Sequence, residues 1–196
     1  MVDDPRGTCP TGPGWAAESA DPEQLDRFRA FLEDEALPAG GIGPSERDRL
    51  TGRHIHDSLG FSVAWHAEPP PARVVDIGSG VGLPGIPLAI LWPATTVTLV
   101  ERSGRRARLL RRVARILGLS SVEVVERDVA ALGPVTGAGI VMRAVFPPAE
   151  APDRLEHLDW ERLVVGSGPD DAAAWGERRS YQVFARQGWV RTMRRA

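Results

Sequence analysis

The sequence of 196 residues contains no lysine, so all 24 of its basic residues are arginine. It also has a single cysteine and a single tyrosine. One cysteine, Cys9, excludes an internal disulfide and a cluster of thiolate metal ligands. The absence of lysine excludes a tyrosine and lysine pair of the kind that assists hydride transfer. Arginine in place of lysine is typical of genomic composition bias, so a role in phosphate recognition requires local evidence.

Long apolar runs are also missing, since none approaches the roughly 20 residues that cross a bilayer. The first residues have neither the basic region nor the apolar region of a secretory signal peptide. We therefore expect a cytoplasmic protein without a membrane partner. The formal net charge of −2 at pH 7 neither requires nor forbids a nucleic acid partner, because only a clustered basic face would decide that.

The chain length suits one folded domain with a substantial core. Residues 1–20 are rich in proline, glycine and small side chains, which predicts a flexible tail. Residues 21–68 are predicted to form a helical cap that begins at Asp21, a good N-cap residue before a proline. Three consecutive prolines then lead into residues 72–196, the predicted cofactor-binding domain.

The most informative stretch is 73–101, which predicts a strand, a crossover helix and a second strand. A short apolar run of the buried-strand type ends at three alternating glycines, Gly78, Gly80 and Gly82. Pro84 is predicted to open the helix, because a missing N–H has no cost there. The second strand is β-branched and ends at Glu101. This unit is typical of folds that bind nucleotide-containing cofactors.

The glycine turn predicts a site for such a cofactor. Glycine allows the backbone to approach a ligand closely, and the helix N-terminus behind the turn offers free N–H groups. Glu101 can accept hydrogen bonds from a ribose diol. Because Gly80, Gly82 and Gly85 also spell G-x-G-x-x-G, a nicotinamide or flavin dinucleotide remains a candidate from the glycines alone.

Asp76, at the end of the first strand, favours a different cofactor. A carboxylate there would repel a pyrophosphate but attract an ammonium and a sulfonium group. S-adenosylmethionine (SAM) carries both cations and no phosphate, so we expect SAM and no metal. An NAD-dependent oxidoreductase is a weaker alternative. A binding module without catalysis is another, although the intact acids and glycines argue against a decayed cofactor site.

The run DIGSGVGLPGIPLAI, followed by Glu101 and RSGRRARLLRRVARILGL, resembles the RsmG (GidB) family, which methylates a guanine N7 in small-subunit ribosomal RNA. The segments GPSERDRLTGRHIHDSL, VMRAV and GERRSYQVFARQG are also similar to that family. The resemblance implies an α/β fold: a Rossmann-like class I methyltransferase sheet. That sheet would be mostly parallel, with a C-terminal antiparallel hairpin and an N-terminal helical cap.

Together, the residues and the resemblance predict a set of site residues. Arg143, near the end of the fourth predicted strand, lies at the catalytic mouth, because ligands bind at the carboxyl ends of parallel strands. Arg127 and Arg143 are expected to position the substrate. His54 and Asp57 are expected to support the site from behind its contact residues. The predicted cofactor contacts are Asp76, Gly78, Gly80, Gly82, Leu83, Pro84, Glu101, Arg102, Asp128, Val129 and Arg143.

Two of these positions have simpler explanations. Asp128 follows the third predicted strand, where class I methyltransferases bind the adenine amine, but it could equally cap the next helix. His54 and His56 are two residues apart and point to different sides of a helix, so they are more typical of core hydrogen bonding than of a metal site.

The substrate prediction depends on two departures from the family. The family's lysine in strand five has no counterpart in LVVGSGP, and the region after it is shortened. We therefore expect a repurposed N-methyltransferase that acts on an amine of a peptide or natural product. Ribosomal RNA in the small subunit is the alternative, favoured by Arg127, Arg143 and Arg178. The six arginines of the predicted helix after Ser103 are expected to form a solvated outer face rather than a phosphate grip.

Overall fold

The computed structural model describes residues 19–195. Most of the predicted flexible tail, residues 1–18, lies outside this range, and so does Cys9. No helix within the described range is both long and apolar enough to cross a membrane.

The N-terminal third is helical. Helix α1 spans Pro22–Phe31 and continues into a π-helical turn at Leu32–Ala36. Asp21 caps α1 as predicted, since its Oδ1 accepts the backbone N–H of Glu23 at 2.9 Å. Four short pieces follow: a 3-10 helix at Pro44–Arg49, a π-helix at Leu50–His56, α2 at Asp57–Leu59 and a 3-10 helix at Gly60–Trp65.

A seven-stranded sheet forms the centre of the molecule. Its strands are β1 (Arg73–Ile77), β2 (Thr96–Glu101), β3 (Val122–Glu126), β4 (Gly139–Met142), β5 (Arg162–Ser167), β6 (Glu177–Val183) and β7 (Arg186–Arg194). The order is β3-β2-β1-β4-β5-β7-β6, and β1 to β5 are parallel. Strand β7 runs antiparallel to both neighbours. The predicted fold class is therefore confirmed.

Helices connect the parallel strands. Helix α3 (Gly85–Leu91) joins β1 to β2 and starts after Pro84, and α4 (Gly104–Ile116) joins β2 to β3. A 3-10 turn at Val129–Ala131 follows β3. The sequence of residues 147–158 predicts one helix after β4, and this prediction is wrong. A 3-10 turn (Pro148–Glu150), α5 (Ala151–Arg154) and another 3-10 turn (Glu156–Leu158) lie there instead.

The C-terminal hairpin turns at a different place from the one predicted. The sequence predicts a hairpin of residues 180–185 and 189–192 with Gln187 and Gly188 at its turn. Both residues lie within β7 instead, and the turn falls at Phe184 and Ala185. Gly188 has a packing role instead, because a Cβ there would lie 2.2 Å from the Tyr181 hydroxyl oxygen. The chain needs a glycine at this position for the tyrosine, not for the turn.

The helical region packs directly on the sheet. Phe28 and Leu32 are fully buried in the same hydrophobic cluster as Ile86 of α3 and Leu110 of α4. A second cluster, which includes Ile140 and other apolar residues of β4, β5 and the 151–160 segment, also forms part of the core. The division into a cap at 21–68 and a domain at 72–196 stays a prediction.

Candidate active site

The chain turns sharply after β1, at the predicted glycines. Gly78 and Gly80 have φ angles of 66° and 60°, in the left-handed region that favours glycine. A Cβ on Gly78 would lie 2.5 Å from a methyl carbon of Val145, so this turn also packs tightly against the segment after β4. The site is therefore built where the ends of β1 and β4 meet.

Glu101 holds this turn in place. It is buried, and its Oε2 accepts the backbone N–H of Gly80 at 2.9 Å. Its Oε1 accepts the N–H of Ser103 at 2.8 Å, just before α4 begins. The carboxylate predicted to bind a ribose thus already ties the end of β2 to the glycine turn and to the start of α4.

Asp76 lies beneath the turn rather than on its surface. Its Oδ2 accepts the backbone N–H of Gly85 at 3.0 Å, at the start of α3. Its Oδ1 is buried and has no hydrogen-bond partner among residues 19–195. Burial raises the pKa of Asp76 to about 7, although Gly85, Ser79 and Arg143 act in the opposite direction. A cation placed nearby would favour the ionised form of this carboxyl group.

A cavity of about 270 Å³ lies over the turn, and we call it the glycine-turn cavity. Gly78, Ser79 and Gly80 form one wall, and residues 41–43 of the helical region form another. Arg143 and His54 also line it. Among the other predicted contacts, only Leu83 is a lining residue, while Gly82 and Pro84 shape the turn.

His54 connects Arg143 to the helical region. Nη2 of Arg143 donates to Nδ1 of His54 at 3.3 Å, and Nε2 of His54 lies 3.1 Å from Oε2 of Glu46. Because arginine can only donate, Nδ1 must accept, and Nε2 therefore carries the proton that is donated to Glu46. Burial and the charge of Arg143 lower the pKa of His54, which keeps the ring in this neutral form at pH 7.

Asp57 joins three parts of the fold. Its Oδ1 accepts the Tyr181 hydroxyl at 2.7 Å and Nε of Arg186 at 3.0 Å. Its Oδ2 lies 3.6 Å from Nη1 of Arg143. His54 and Asp57, the two residues predicted to support the site, therefore both contact Arg143. The sequence did not indicate Tyr181 and Arg186.

A second cavity, of about 210 Å³, lies on the other side of Arg143. We call it the second cavity; its wall includes Asp57, Phe61, Arg143, Tyr181 and Trp189. Arg143 lines both cavities and lies where they meet. The site thus has two compartments that share one guanidinium group.

The predicted contacts after β2 and β3 lie elsewhere. Arg127 is exposed and lines neither cavity, so the structure does not bring it to Arg143. The Arg102 side chain is 80% exposed, and its Nη1 lies 3.9 Å from Oδ2 of Asp128. Asp128 caps the turn that contains Val129, because its Oδ1 accepts the N–H of Ala130 at 3.0 Å. The capping alternative for Asp128 is thus realised, and its contact with an adenine stays a proposal.

Removing the Tyr181 hydroxyl is expected to destabilise the protein. A hydrogen bond to a charged group contributes about 1.5–3 kcal/mol, so Tyr181→Phe should lower the free energy of unfolding by that amount. Urea unfolding would measure the change. Ser180→Ala, at an exposed neighbouring position of β6, should change it by less than about 0.5 kcal/mol. Equal unfolding midpoints for Tyr181→Phe and the unaltered protein would show that the bond to Asp57 is not stabilising.

The strand order, the glycine turn after β1 and the acids at the ends of β1 and β2 define a Rossmann-like methyltransferase fold of class I. The solved structure of the 16S rRNA methylase RmtB has this fold. It superposes with a TM-score of 0.54 at 21% identity and covers 90% of this chain and 76% of that chain.

The sequence model of the GidB family, described as rRNA small subunit methyltransferase G, matches residues 21–161, and the chain belongs to this family. A relative named ribosomal RNA small subunit methyltransferase G, from Frankia alni, is 38% identical over 151 residues, which are 72% of this chain and 55% of the relative. Its namesake from Nocardioides sp. is 38% identical over 169 residues, which are 84% of this chain and 64% of the relative. The chain thus spans less than two thirds of the length of these two relatives.

These matches confirm the predicted RsmG/GidB-like family, and with it the methyltransferase class and SAM as the methyl donor at the level of the family. The prediction of a peptide or natural-product amine as the acceptor is wrong, because the relatives are named for ribosomal RNA. That prediction depended on a missing lysine and a shortened segment. A missing segment carries no information about the chemistry of the acceptor.

Proposed function

We propose that this protein transfers the methyl group of SAM to the N7 atom of a guanine in 16S ribosomal RNA, acting on the small subunit in the cytoplasm. The observation that supports this most is the pair of cavities that meet at Arg143, in a chain of the GidB family. One cavity is available for the methyl donor and the other for the base that accepts the methyl group.

The residues around the glycine-turn cavity fit SAM. The unpartnered Oδ1 of Asp76 provides buried negative potential behind the turn, which suits a cationic ligand and opposes a pyrophosphate. Gly78 and Gly80 bring the backbone close to the ligand, and Glu101 keeps the turn in place. We assign these four residues to the donor site. When bound there, SAM supplies an electrophilic methyl group on a sulfonium centre.

The second cavity fits a purine better than an amine. A guanine N7 has a free lone pair and needs no base, whereas an alkyl amine at neutral pH must first lose a proton. Asp57 is the only carboxylate among the described residues that line this cavity. Because Tyr181, Arg186 and Arg143 already engage it, Asp57 is not available as a base.

Catalysis then consists mainly of positioning. Arg143 makes single contacts to His54 and Asp57, so several of its five N–H donors remain for a substrate. Donation to the guanine O6, a frequent arginine contact, would place the neighbouring N7 toward the glycine-turn cavity. The Trp189 ring in the cavity wall offers a surface on which the base can stack.

Small ribosomal subunits that lack the guanine N7 methyl mark provide the test. After incubation with the protein and SAM, mass spectrometry of nuclease fragments should show one new 7-methylguanosine in 16S RNA. Subunits that already carry the mark should gain none. If the unmarked subunits also gain no methyl group, the acceptor assignment is refuted.

A further inference from the structure

A groove on the surface shares one lining residue, Arg186, with the second cavity, and we call it the basic groove. It encloses about 570 Å³ and is lined by Arg49, Arg53, His56 and Arg186, among others. The first three come from the helical turns of the N-terminal region, whereas Arg186 begins β7. Because Arg186 also lines the second cavity, a chain that enters the cavity can continue into the groove.

The basic groove has more positive charge than its acids can neutralise. Nη1 of Arg49 and Nη1 of Arg53 lie 3.7 Å and 3.5 Å from the same oxygen, Oε1 of Glu46, so one carboxylate serves two arginines. Both side chains are more than half exposed, at 60% and 55%. Among residues 19–195, the one carboxylate that pairs with Arg186 is that of Asp57, which Arg143 also faces. These guanidinium groups are available for phosphate, which they bind with paired N–H donors.

An exposed aromatic ring lies at the edge of the basic groove. Phe184 is 48% exposed at the tip of the β6–β7 hairpin, and its φ angle is 51°, a region that bulky side chains rarely adopt. Its ring centroid lies 4.4 Å from that of His56, a lining residue of the groove. An aromatic ring beside a basic groove is the arrangement that binds unpaired nucleotides, because the phosphates meet the charges and a base stacks on the ring.

The arginine-rich helix α4 is less suited to this role. Arg112 pairs with Glu35 at 2.5 Å, Arg111 lies 3.4 Å from Glu126, and Arg105 donates to the backbone carbonyl of Ala39. These three arginines thus contact other parts of the same chain. The basic groove, in contrast, adjoins the second cavity.

We propose that the basic groove binds the sugar–phosphate backbone of single-stranded RNA next to the target guanine, with Phe184 stacking on one of its bases. The identification of the strand as RNA rests on the proposed function. A single strand is required because the bases of a duplex are stacked inside it and cannot reach the ring. The formal net charge of the chain, −2, makes the local charge of the groove the source of attraction.

The binding of a fluorescein-labelled single-stranded RNA decamer, followed by fluorescence anisotropy, tests the phosphate contacts. Arg49→Gln/Arg53→Gln should weaken binding about tenfold or more at low salt. The slope of log affinity against log salt should fall by about 1.4, since two phosphate contacts contribute roughly 0.7 each. The matched control is Arg194→Gln/Arg195→Gln, which removes two charges near the start of β5, at the end of β7 that is farthest from Arg186. The control should leave both quantities unchanged.

The stacking contact has a different signature. Phe184→Ala should weaken binding about tenfold but leave the salt slope unchanged, because no charge is lost. Equal losses in the groove variant and the control variant would overturn the proposal, and so would failure of the unaltered protein to bind the decamer. Displacement of the RNA by polyglutamate at equal concentration would assign the groove to an acidic protein and would also overturn it.

The result of the RNA-binding assay can be distinguished from the result of the methylation test, because the binding assay involves no methyl transfer. If the decamer binds through the groove but unmarked subunits gain no methyl group, the proposed function fails and the groove assignment stands. If the subunits are methylated and Arg49→Gln/Arg53→Gln has an unchanged KM for them, the groove assignment fails alone.

Discussion

Without bound cofactor, the Asp76→Asn variant is expected to gain stability relative to the unaltered protein as the pH rises. The pKa of Asp76 in the folded protein is about 7, above the ordinary 3.8, because the carboxyl group is buried. The folded state therefore holds this proton more tightly than the unfolded state. Binding of this proton therefore contributes to the free energy of unfolding. The contribution is fully present below pH 4 and is lost as the pH rises through 7. Asparagine does not titrate, so the variant lacks this loss.

The stability difference between Asp76→Asn and the unaltered protein should grow by about 2 kcal/mol between pH 5.5 and pH 8, at 1.36 kcal/mol for each pKa unit. Urea unfolding of both proteins at the two pH values measures it, and all other titrating groups cancel in the comparison. Asp153→Asn, which alters an exposed acid after β4, should show no such growth. A constant difference across this pH range would show that Asp76 is not a strained buried acid.

The same substitution is expected to weaken the binding of SAM. The ammonium and sulfonium groups would lose the negative charge behind the glycine turn, which should raise the Kd at least about tenfold. The substitution should thus stabilise the cofactor-free protein at high pH and weaken its binding of SAM. Both effects are expected if the role of Asp76 is to provide negative charge for the cofactor. Calorimetric titration of Asp76→Asn and of the Asp153→Asn control measures the binding, and equal affinities would contradict a role for the carboxylate.

Arg143→Lys is expected to lower the rate of methyl transfer about 100-fold while the protein stays folded. Lysine keeps the positive charge that faces Asp57, but its single ammonium group cannot reproduce the planar donor set that reaches His54 and Asp57 together. A base that is displaced by about 1 Å from the line of transfer loses roughly this factor.

Single-turnover methylation of saturating unmarked subunits measures the rate of Arg143→Lys. Arg162→Lys is a matched control, because Arg162 is buried and, like Arg143, faces a carboxylate, here Glu68, but it lies at the start of β5. The control should transfer methyl groups at nearly the unaltered rate. A rate for Arg143→Lys within about threefold of the unaltered protein would remove Arg143 from the positioning of the substrate.

The donor half of the site could be predicted because its signals are local. Alternating glycines, a proline at the helix start and an acid at the end of each strand all lie within residues 73–101. The sequence predicts a buried strand here, but it could not predict that Asp76 lies beneath the turn and does not line the glycine-turn cavity. Its position depends on parallel pairing with Leu99 on one side and Val141 on the other, which buries the carboxylate in the middle of the sheet.

The second half of the site depends on contacts between distant parts of the chain. Asp57 meets Tyr181 and Arg186, which follow it by 124 and 129 residues. These meetings require the register of the β6–β7 hairpin, in which Tyr181 is paired with Gly188. Because the predicted turn was misplaced within this hairpin, neither residue was identified. The signal that could have found them is a glycine opposite the only tyrosine, and it is visible only once the register is known.

We propose that the buried acid behind the glycine turn selects a cofactor that bears positive charge and no pyrophosphate. The most direct measurement is calorimetric titration of the unaltered protein with SAM and, separately, with NADH. We expect saturable binding of one SAM per chain and no heat of binding for NADH. Binding of NADH, or no binding of SAM at saturating concentration, would contradict it.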